Sequence, residues 1–391
     1  MSPNTILWLI TGCLMLQPLS TDLYLPSLPH LATYFAVTPA VVQQTLSLFV
    51  FGFATAQLIS GPLSDRFGRR PVLFGGLLTY LAASIACGLA PSITLLVLGR
   101  FVQAVGCCTA VVIARAIIRD AFEPAEGARM IAKASSIFSL APILGPILGG
   151  YLQIAFGWRA AFVAQTFFCS LLAVAAWRLL SETNQHKNPQ ATQFGSLVRG
   201  YFNIARNPTF WAYTLPGALS YGSIFAFISG SSFVLIRVLG VATEIYGYCF
   251  AFGVIGYLAG TILCRYWLGR IGLTRSFTLG SRMSLGAGLL FLLLVNIGLH
   301  HWTVVVGCLF LTMLAHGVNF PCMQAGAIAP FPKQAGAAAG LMGSCMMIAA
   351  LLIGIWVGAS HDGTLYPLAT ISATVGILLF GSARALLRYR G

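Results

Sequence analysis

The sequence predicts an all-α polytopic membrane protein whose twelve transmembrane helices form two six-helix halves, and three observations carry that prediction. Hydrophobic residues make up 58% of the 391-residue chain against 8% charged, at a mean hydropathy of +0.86, more apolar surface than a soluble fold hides. The apolar residues are gathered into long uncharged stretches of about 20 residues, the length that crosses a bilayer. The basic residues between those stretches crowd onto one side.

The spans are read at 5–27, 39–60, 72–91, 94–117, 130–154, 160–180, 209–233, 243–267, 277–298, 302–323, 335–359 and 364–386. With the amino terminus inside, the cytoplasmic loops and ends hold Arg66, Arg69, Arg70, Arg119, Arg129, Lys133, Arg178, Lys187, Arg199, Arg206, Arg265, Arg270, Arg275, Lys333, Arg384, Arg388 and Arg390, whereas the outer loops hold only Arg159 and Arg237. An asymmetry of that size is hard to obtain from a wrong topology. Residues 1–4 carry no Lys or Arg, so the first span is read as an uncleaved helix rather than a signal.

The first span ends in Gln17-Pro18-Leu19-Ser20-Thr21-Asp22-Leu23-Tyr24-Leu25-Pro26, and Asp22 is the one acid placed inside a span. At 1.5 Å per residue it lies roughly 25 Å across, in the outer third of the bilayer. A carboxyl withdrawn from water disfavours its charged form and can take up a proton near neutral pH, which is the chemistry of proton coupling. The alternative is an outer-surface acid beyond a helix that ends at Pro18.

Between the second and third spans, Gly61-Pro62-Leu63-Ser64-Asp65-Arg66-Phe67-Gly68-Arg69-Arg70-Pro71 concentrates three arginines and an aspartate, with glycines and prolines that permit a tight turn. The fourth span carries Arg100, roughly 9 Å from its outer end and so at the depth of Asp22, and Arg115 about 22 Å deeper. Direct pairing of Asp22 with Arg100, and bonding of Arg100 to backbone carbonyls, are both open. Arg115 either lines the inner cavity or snorkels to the surface.

In the fifth span, Ala141-Pro142-Ile143-Leu144-Gly145-Pro146-Ile147-Leu148-Gly149-Gly150 places Gly145 and Gly149 on one smooth face, and the prolines bend the helix. Ser181 to Pro208 is the longest polar stretch and reads as a flexible cytoplasmic linker, dividing the chain into 1–180 and 209–391. The seventh span mixes aromatics with hydroxyls, and Tyr221, Phe225, Phe227 and Ser231 are taken with Asp22, Tyr24, Arg100 and Arg115 as the candidate substrate cavity. Such a wall suits a partly apolar drug; ordinary helix packing is the alternative for any one of its residues. After the eighth span, Gly269-Arg270-Ile271-Gly272 repeats the position that Arg66-Phe67-Gly68-Arg69 holds after the second. His316 and Asn319 in the tenth span are polar and either cavity-facing or packed.

Several function classes are set aside. The net charge of +14 is scattered between apolar spans rather than gathered on a soluble face, so topology explains it better than nucleic acid. The ten cysteines show no C-x-x-C pair and no histidine at metal-ligand spacing, so neither a metal nor a cofactor is expected and the thiols read as packing. Lys133, Lys187 and Lys333 are followed by Ala, Asn and Gln, so no phosphate-binding loop is present and ATP is not the direct energy source. No H-E-x-x-H or paired-carboxylate cluster suggests a membrane enzyme.

Taken together, the 61–71 loop, the Pro18–Pro26 run, Gly99-Arg100-Phe101-Val102-Gln103-Ala104-Val105-Gly106 with Arg115-Ala116-Ile117-Ile118-Arg119-Asp120, and the fifth-span glycines resemble the major facilitator superfamily, in particular its Bcr/CflA branch of bicyclomycin and chloramphenicol/florfenicol exporters. Gly61, Asp65, Arg66, Gly68, Arg69 and Arg70 fit the superfamily's signature loop, and Pro142, Gly145, Pro146, Gly149 and Gly150 fit its antiporter motif, with Ala141 in place of the first glycine. The resemblance implies a monomeric drug:proton antiporter of the bacterial inner membrane, both termini cytoplasmic, exchanging a small-molecule drug for protons. It further implies that Asp22 binds the proton with Arg100 in support, that Asp65 sits at the amino-terminal end of the eleventh span, and that Arg69 pairs with Asp120 in the outward-facing state. Phe331-Pro332-Lys333-Gln334 offers no acid for a matching latch in the second half. A proton-coupled importer of a small nutrient is the second reading, against which the antiporter motif stands.

Overall fold

Prolines and small capping residues decide where the apolar helices start, and glycines decide where they break. In the computed structural model, which describes residues 3–138, 140–185 and 187–390, the helices are α1 (Pro3–Asp22), α2 (Leu28–Tyr34), α3 (Pro39–Phe67), α4 (Arg69–Gly88), α5 (Ile93–Ala121), α6 (Pro124–Phe138), α7 (Ala141–Phe156), α8 (Arg159–Leu179), α9 (Phe194–Ala205), α10 (Pro208–Ser232), α11 (Thr243–Asn296), α12 (Trp302–Ile328), α13 (Ala335–Ser360) and α14 (Tyr366–Ala385). Proline occupies the first turn of α3, α7, α10 and α14, where its missing N–H costs nothing. Ser92 accepts from Leu95 N to cap α5, and the Asn207 side chain accepts from Thr209 N and Phe210 N to cap α10.

Among the described residues, ten helical segments are long and apolar enough to cross a membrane. One of them, α11, has 54 residues and breaks at Gly272 (φ 76°), so it supplies the eighth and ninth spans, while α6 and α7 together make the fifth. The fold is thus the predicted twelve-span, two-half arrangement. In the fifth span α6 ends at Phe138 and α7 begins at Ala141, and Pro146 lies inside α7.

Two boundaries differ from the sequence reading. The stretch 61–71 is not a loop: α3 continues through Phe67 and α4 resumes at Arg69, so Gly68 (φ 109°) alone makes the break. Gly68 and Gly272 therefore make the same left-handed turn at matching places in the two halves, a conformation an L side chain resists. The polar stretch 181–208 is not free chain either. It contains α9, whose Tyr201 hydroxyl donates to Leu58 O (2.9 Å), and the Asn184 Nδ2 donates to the carbonyls of Ser64 and Asp65 (3.2 Å each) while Asn188 N donates to Asp65 O (2.9 Å). Arg282 was missed as a charge within the ninth span; its side chain is exposed.

Contacts between the halves run along α3 and α13, where Ser344 Oγ donates to Ala54 O (2.9 Å), and others lie at the end opposite the basic turn. There the Gln43 amide of α3 donates to Ser229 O of α10 (3.0 Å), Arg237 donates to Pro29 O (2.6 Å) and also bonds Thr33, and His30 meets Thr243 (3.2 Å). Helix α7 lies along the start of α11: a Cβ built on Gly247 would stand 2.5 Å from Ile147 Cα, and one on Gly150 would stand 2.9 Å from Thr243 O. Only glycine permits backbones this close. This end of the molecule is closed.

Candidate functional site

Asp22 closes α1 at the junction of the halves. It is 5% exposed and is the one buried acid among the described residues. Thr21 Oγ1 donates to its Oδ1 (2.8 Å), and among the described residues no cation stands within ion-pair distance of it. A Cβ on Gly145 of α7 would lie 3.1 Å from Asp22 Cβ, so the glycine leaves room for the carboxylate's own backbone. From the other half, Tyr221 of α10 and Tyr246 of α11 stand within electrostatic reach of Asp22.

Arg100 is entirely buried and does not pair with Asp22. Its Nη1 donates to Gln103 Oε1 (2.6 Å), one turn along α5, and its guanidinium lies over the rings of Phe49 (4.3 Å), Tyr24 (4.9 Å) and Phe162 (6.0 Å), leaving Nε and Nη2 without partners. The π faces supply the negative potential that a carboxylate would otherwise give. Among the described residues it bonds no backbone carbonyl directly either. Instead Gln103 Nε2 donates to Ser84 Oγ (2.7 Å) and Gln165 Oε1 (2.8 Å), and Gln165 Nε2 donates to Leu19 O (3.1 Å), so the arginine reaches the first helix through two glutamines. The sequence reading gave neither a role, although Gln103 stands in the quoted fourth-span run, because a glutamine in an apolar span looks the same whether it faces a network or lipid.

The seventh-span residues split by helix phase. Tyr221 and Phe225 share a face, four residues apart, with rings 6.5 Å apart. Phe227 points away and stacks on Phe291 (5.7 Å), while Ser231 is buried against the Tyr246 hydroxyl (3.0 Å). Phe225 is itself buried beside Gly354 of α13. Tyr24 is also buried, donating to Thr45 Oγ1 (3.1 Å). Tyr24, Arg100, Phe225, Phe227 and Ser231 are thus packed rather than open to a cavity, for a run of aromatics and hydroxyls does not reveal which face each residue takes. Arg115 and Tyr221 differ. Arg115 is exposed and Tyr221 is partly exposed.

At the basic turn, Arg69 holds two carboxylates, Nη1 to Asp65 Oδ1 (2.5 Å) and Nε to Asp120 Oδ2 (2.7 Å), with Ser64 Oγ as a further acceptor (2.6 Å). Asp65 pairs with Arg69 across the turn, and α13 starts toward this same end, where a Cβ on Gly336 would stand 3.2 Å from Arg119 Nη1. The Arg69–Asp120 pair is present while the opposite end is closed. It joins α4 to α5 within one half, so it does not require the halves to be open on that side. Arg66 donates to Thr192 (2.5 Å) and Arg70 to Trp177 O (2.9 Å), whereas Gly61 faces open space.

A residue of the polar stretch completes the turn. Glu182 Oε1 accepts from Arg69 N (2.8 Å), Thr183 N (3.0 Å) and Asn184 N (2.9 Å), and its Oε2 accepts from Arg70 N (3.2 Å), capping the first turn of α4. Burial works to raise its pKa, but the four backbone donors outweigh that and hold it below the usual carboxylate value. A Cβ on Gly68 would strike Glu182 Oε2 at 2.4 Å. In the second half Gly272 has open space around it, and Arg270 lies over the Tyr266 ring (4.4 Å).

Two helical bundles closed on one another around a buried, unpaired acid define a polytopic membrane carrier. The chain belongs to the Major Facilitator Superfamily, whose family profile matches residues 10–354. It is 27% identical over 377 residues to a bicyclomycin resistance protein homolog of Haemophilus influenzae, covering 96% of this chain and 94% of that one. Multidrug resistance protein MdtL of Salmonella typhi is 27% identical over 378 residues (93% and 89%), and a chloramphenicol resistance protein of Pseudomonas aeruginosa is 33% identical over 229 residues (58% and 54%). A solved D-xylose-proton symporter aligns with a TM-score of 0.75 at 14% identity, over 97% of this chain and 98% of that one. A bacterial homolog of the human lysosomal transporter Spinster, inward-facing and unoccupied, aligns with a TM-score of 0.73 at 17% identity, over 100% and 99%. At these identities the structures establish the fold.

Proposed function

We propose that this chain is a drug:proton antiporter that exports antibiotics across a bacterial inner membrane by alternating access, with the basic turn and both termini in the cytoplasm. The observation that carries the reading is Asp22: a carboxyl buried at the junction of the halves, with no counter-charge among the described residues and within electrostatic reach of Tyr221 and Tyr246 of the other half. The names of the relatives support an antibiotic as cargo. The halves, 1–180 and 209–391, rock about the plane between them, tied by 181–208.

In this cycle a proton arriving from outside neutralises Asp22 and lowers the cost of holding it away from water. Return of the site to the cytoplasm and arrival of a drug beside Tyr221 and Arg115 release the proton inward. Arg100 keeps the end of the first helix in place through Gln103 and Gln165. The glycines 145, 149 and 150 let α7 lie close to the first helix and to α11, sealing the outside while the site faces the cytoplasm. Arg69 with Asp65 and Asp120 fixes the cytoplasmic ends of α3, α4 and α5 as one body.

The test is drug-induced proton movement in everted vesicles energised by respiration, comparing wild type with Asp22→Asn over an antibiotic panel that includes chloramphenicol and bicyclomycin. Proton release on adding a compound, lost in the variant, is the expected outcome. A variant that still exchanges drug for protons overturns the role of Asp22, and a wild type that takes up a nutrient with protons but moves no drug makes the chain an importer.

A further inference from the structure

The flank of the first half carries a cleft for which the cycle above has no use. It lies between the start of α4 and the last turn of α8, has a volume of about 350 Å3, and is lined by Arg70, Pro71, Phe74, Ala176, Trp177 and Leu180. Arg70 and Trp177 are exposed, and Arg70 Nη2 donates to Trp177 O (2.9 Å) in the last turn of α8. A guanidinium has five N–H donors. Among the described residues the other four of Arg70 have no acceptor: Asp65 and Asp120 are taken up by Arg69, and Glu182 accepts from the Arg70 backbone rather than from its side chain.

The cleft runs from the charged boundary into the apolar layer. By the spans read above, residue 72 opens the third span and residue 180 closes the sixth, so Arg70 and Pro71 stand at headgroup level and Phe74 and Trp177 about one turn further in. From there the track continues over Leu78 of α4 and over Val174 and Leu171 of α8, all exposed and each about one helical turn along. Tryptophan collects at this depth because its ring is apolar and its N–H polar. A cation at the rim, then an aromatic ring, then an apolar track is the order of groups along a phospholipid: phosphate, glycerol ester, acyl chain. The planar fork of arginine suits two phosphate oxygens at once. The walls hold no carboxylate to receive the ammonium of a zwitterionic headgroup, so the charge balance favours an anionic one, as in other basic pockets between transmembrane helices.

We propose that this cleft binds an anionic phospholipid of the leaflet that meets the basic turn, with its phosphate on the Arg70 guanidinium and one acyl chain along Phe74, Trp177 and the residues beyond. The proposal needs a membrane-spanning chain but neither a particular cargo nor proton exchange. Arg70 N is one of the amides that Glu182 caps, so a lipid on the Arg70 side chain braces the residue at which the polar stretch 181–208 grips the first half.

The experiment titrates the full chain in detergent with phosphatidylglycerol carrying brominated acyl chains, which quench tryptophan on contact, and Trp177→Phe identifies the share of Trp177 among the seven tryptophans. The expected result is that Trp177 is quenched at a concentration at least about fivefold lower than with brominated phosphatidylcholine, the worth of one arginine at an anionic surface. Arg70→Gln should bring the two lipids level. Arg178→Gln removes a cation that is equally exposed but does not line the cleft, and should keep the preference. Equal quenching by the two lipids in wild type overturns the proposal, and this arm decides even if Arg70→Gln fails to fold. A preference that survives Arg70→Gln, or that Arg178→Gln abolishes, overturns it in favour of general surface charge, and displacement of the lipid by an equal concentration of inorganic phosphate overturns it in favour of a soluble anion. None of these outcomes bears on drug-induced proton release, so the antiport reading stands or falls separately.

Discussion

Gly247→Ala isolates the closed end of the molecule, because the contact it disturbs joins the two halves. The added Cβ would stand 2.5 Å from Ile147 Cα and 2.6 Å from Ile147 N and Pro146 O, all backbone atoms that no rotamer change can move. Ordinary contact begins near 3.4 Å, so α7 and the start of α11 must separate by about 0.9 Å to admit one methyl. Overpacking of this kind costs about 1–3 kcal/mol, and since the cost falls only on the state in which these helices touch, the balance between closed and open shifts by roughly 5- to 150-fold. The assay places spin labels at Tyr151 and Tyr248, exposed residues whose hydroxyls lie 3.2 Å apart across the same seam, and reads the distance distribution. The variant should deplete the short-distance population, whereas Gly75→Ala, which has nothing within 4 Å of its new Cβ, should leave it unchanged. An unaltered distribution in Gly247→Ala would refute the claim that this glycine contact sets the closed state.

Further outcomes follow from the same geometry. Asp120→Asn should lower thermal stability by about 1–3 kcal/mol and Asp65→Asn by less than about 1 kcal/mol, because the Asp120 side chain is 19% exposed and that of Asp65 44%; melting both single variants checks the order. Glu182→Gln should cost about 1 kcal/mol, the scale of a helix cap. Since the folded pKa of Glu182 lies below the ordinary value, that contribution is complete above the unfolded carboxylate value and is lost as pH falls through the folded one, so the gap between wild type and variant should close below about pH 4. Gln165→Leu strands the Leu19 carbonyl and one bond of Gln103, and melting should show a loss of about 1–3 kcal/mol; an unchanged melting temperature would mean that water already serves those groups.

What the sequence made legible were quantities that add up along the chain. Span length, the side on which Arg and Lys collect, and the glycine that recurs at 68 and 272 all survive errors of a few residues. The ends of helices were less legible, because α3 and α4 carry helix past the apolar limit into the charged turn, where hydropathy falls but hydrogen bonding continues. Asp22 was found because an acid in an apolar span is rare, and Arg100 for the same reason. Their relation was not legible: depth alone put them level, and only the packing of Phe49, Tyr24 and Phe162 shows that aromatic faces take the place of a counter-ion. Tyr221 and Phe227 make the same point from the other side, since six residues of helix turn one toward the divide between the halves and the other into its own bundle. Glu182 was overlooked as ordinary linker charge, because the two backbone amides of α4 that it caps lie more than a hundred positions earlier.

The linker's helix has a mechanical consequence. Helix α9 is fastened to the first half by Tyr201 to Leu58 O and to the second by Trp211 Nε1, which donates to Ala205 O at 2.6 Å. Only Arg206 and Asn207 separate its end from Pro208, and three Cα steps reach at most about 11 Å. The chain between the halves therefore acts as a short leash rather than a slack rope, and a swing that parts α3 from α10 by more than that reach must first unfasten one of its two knots.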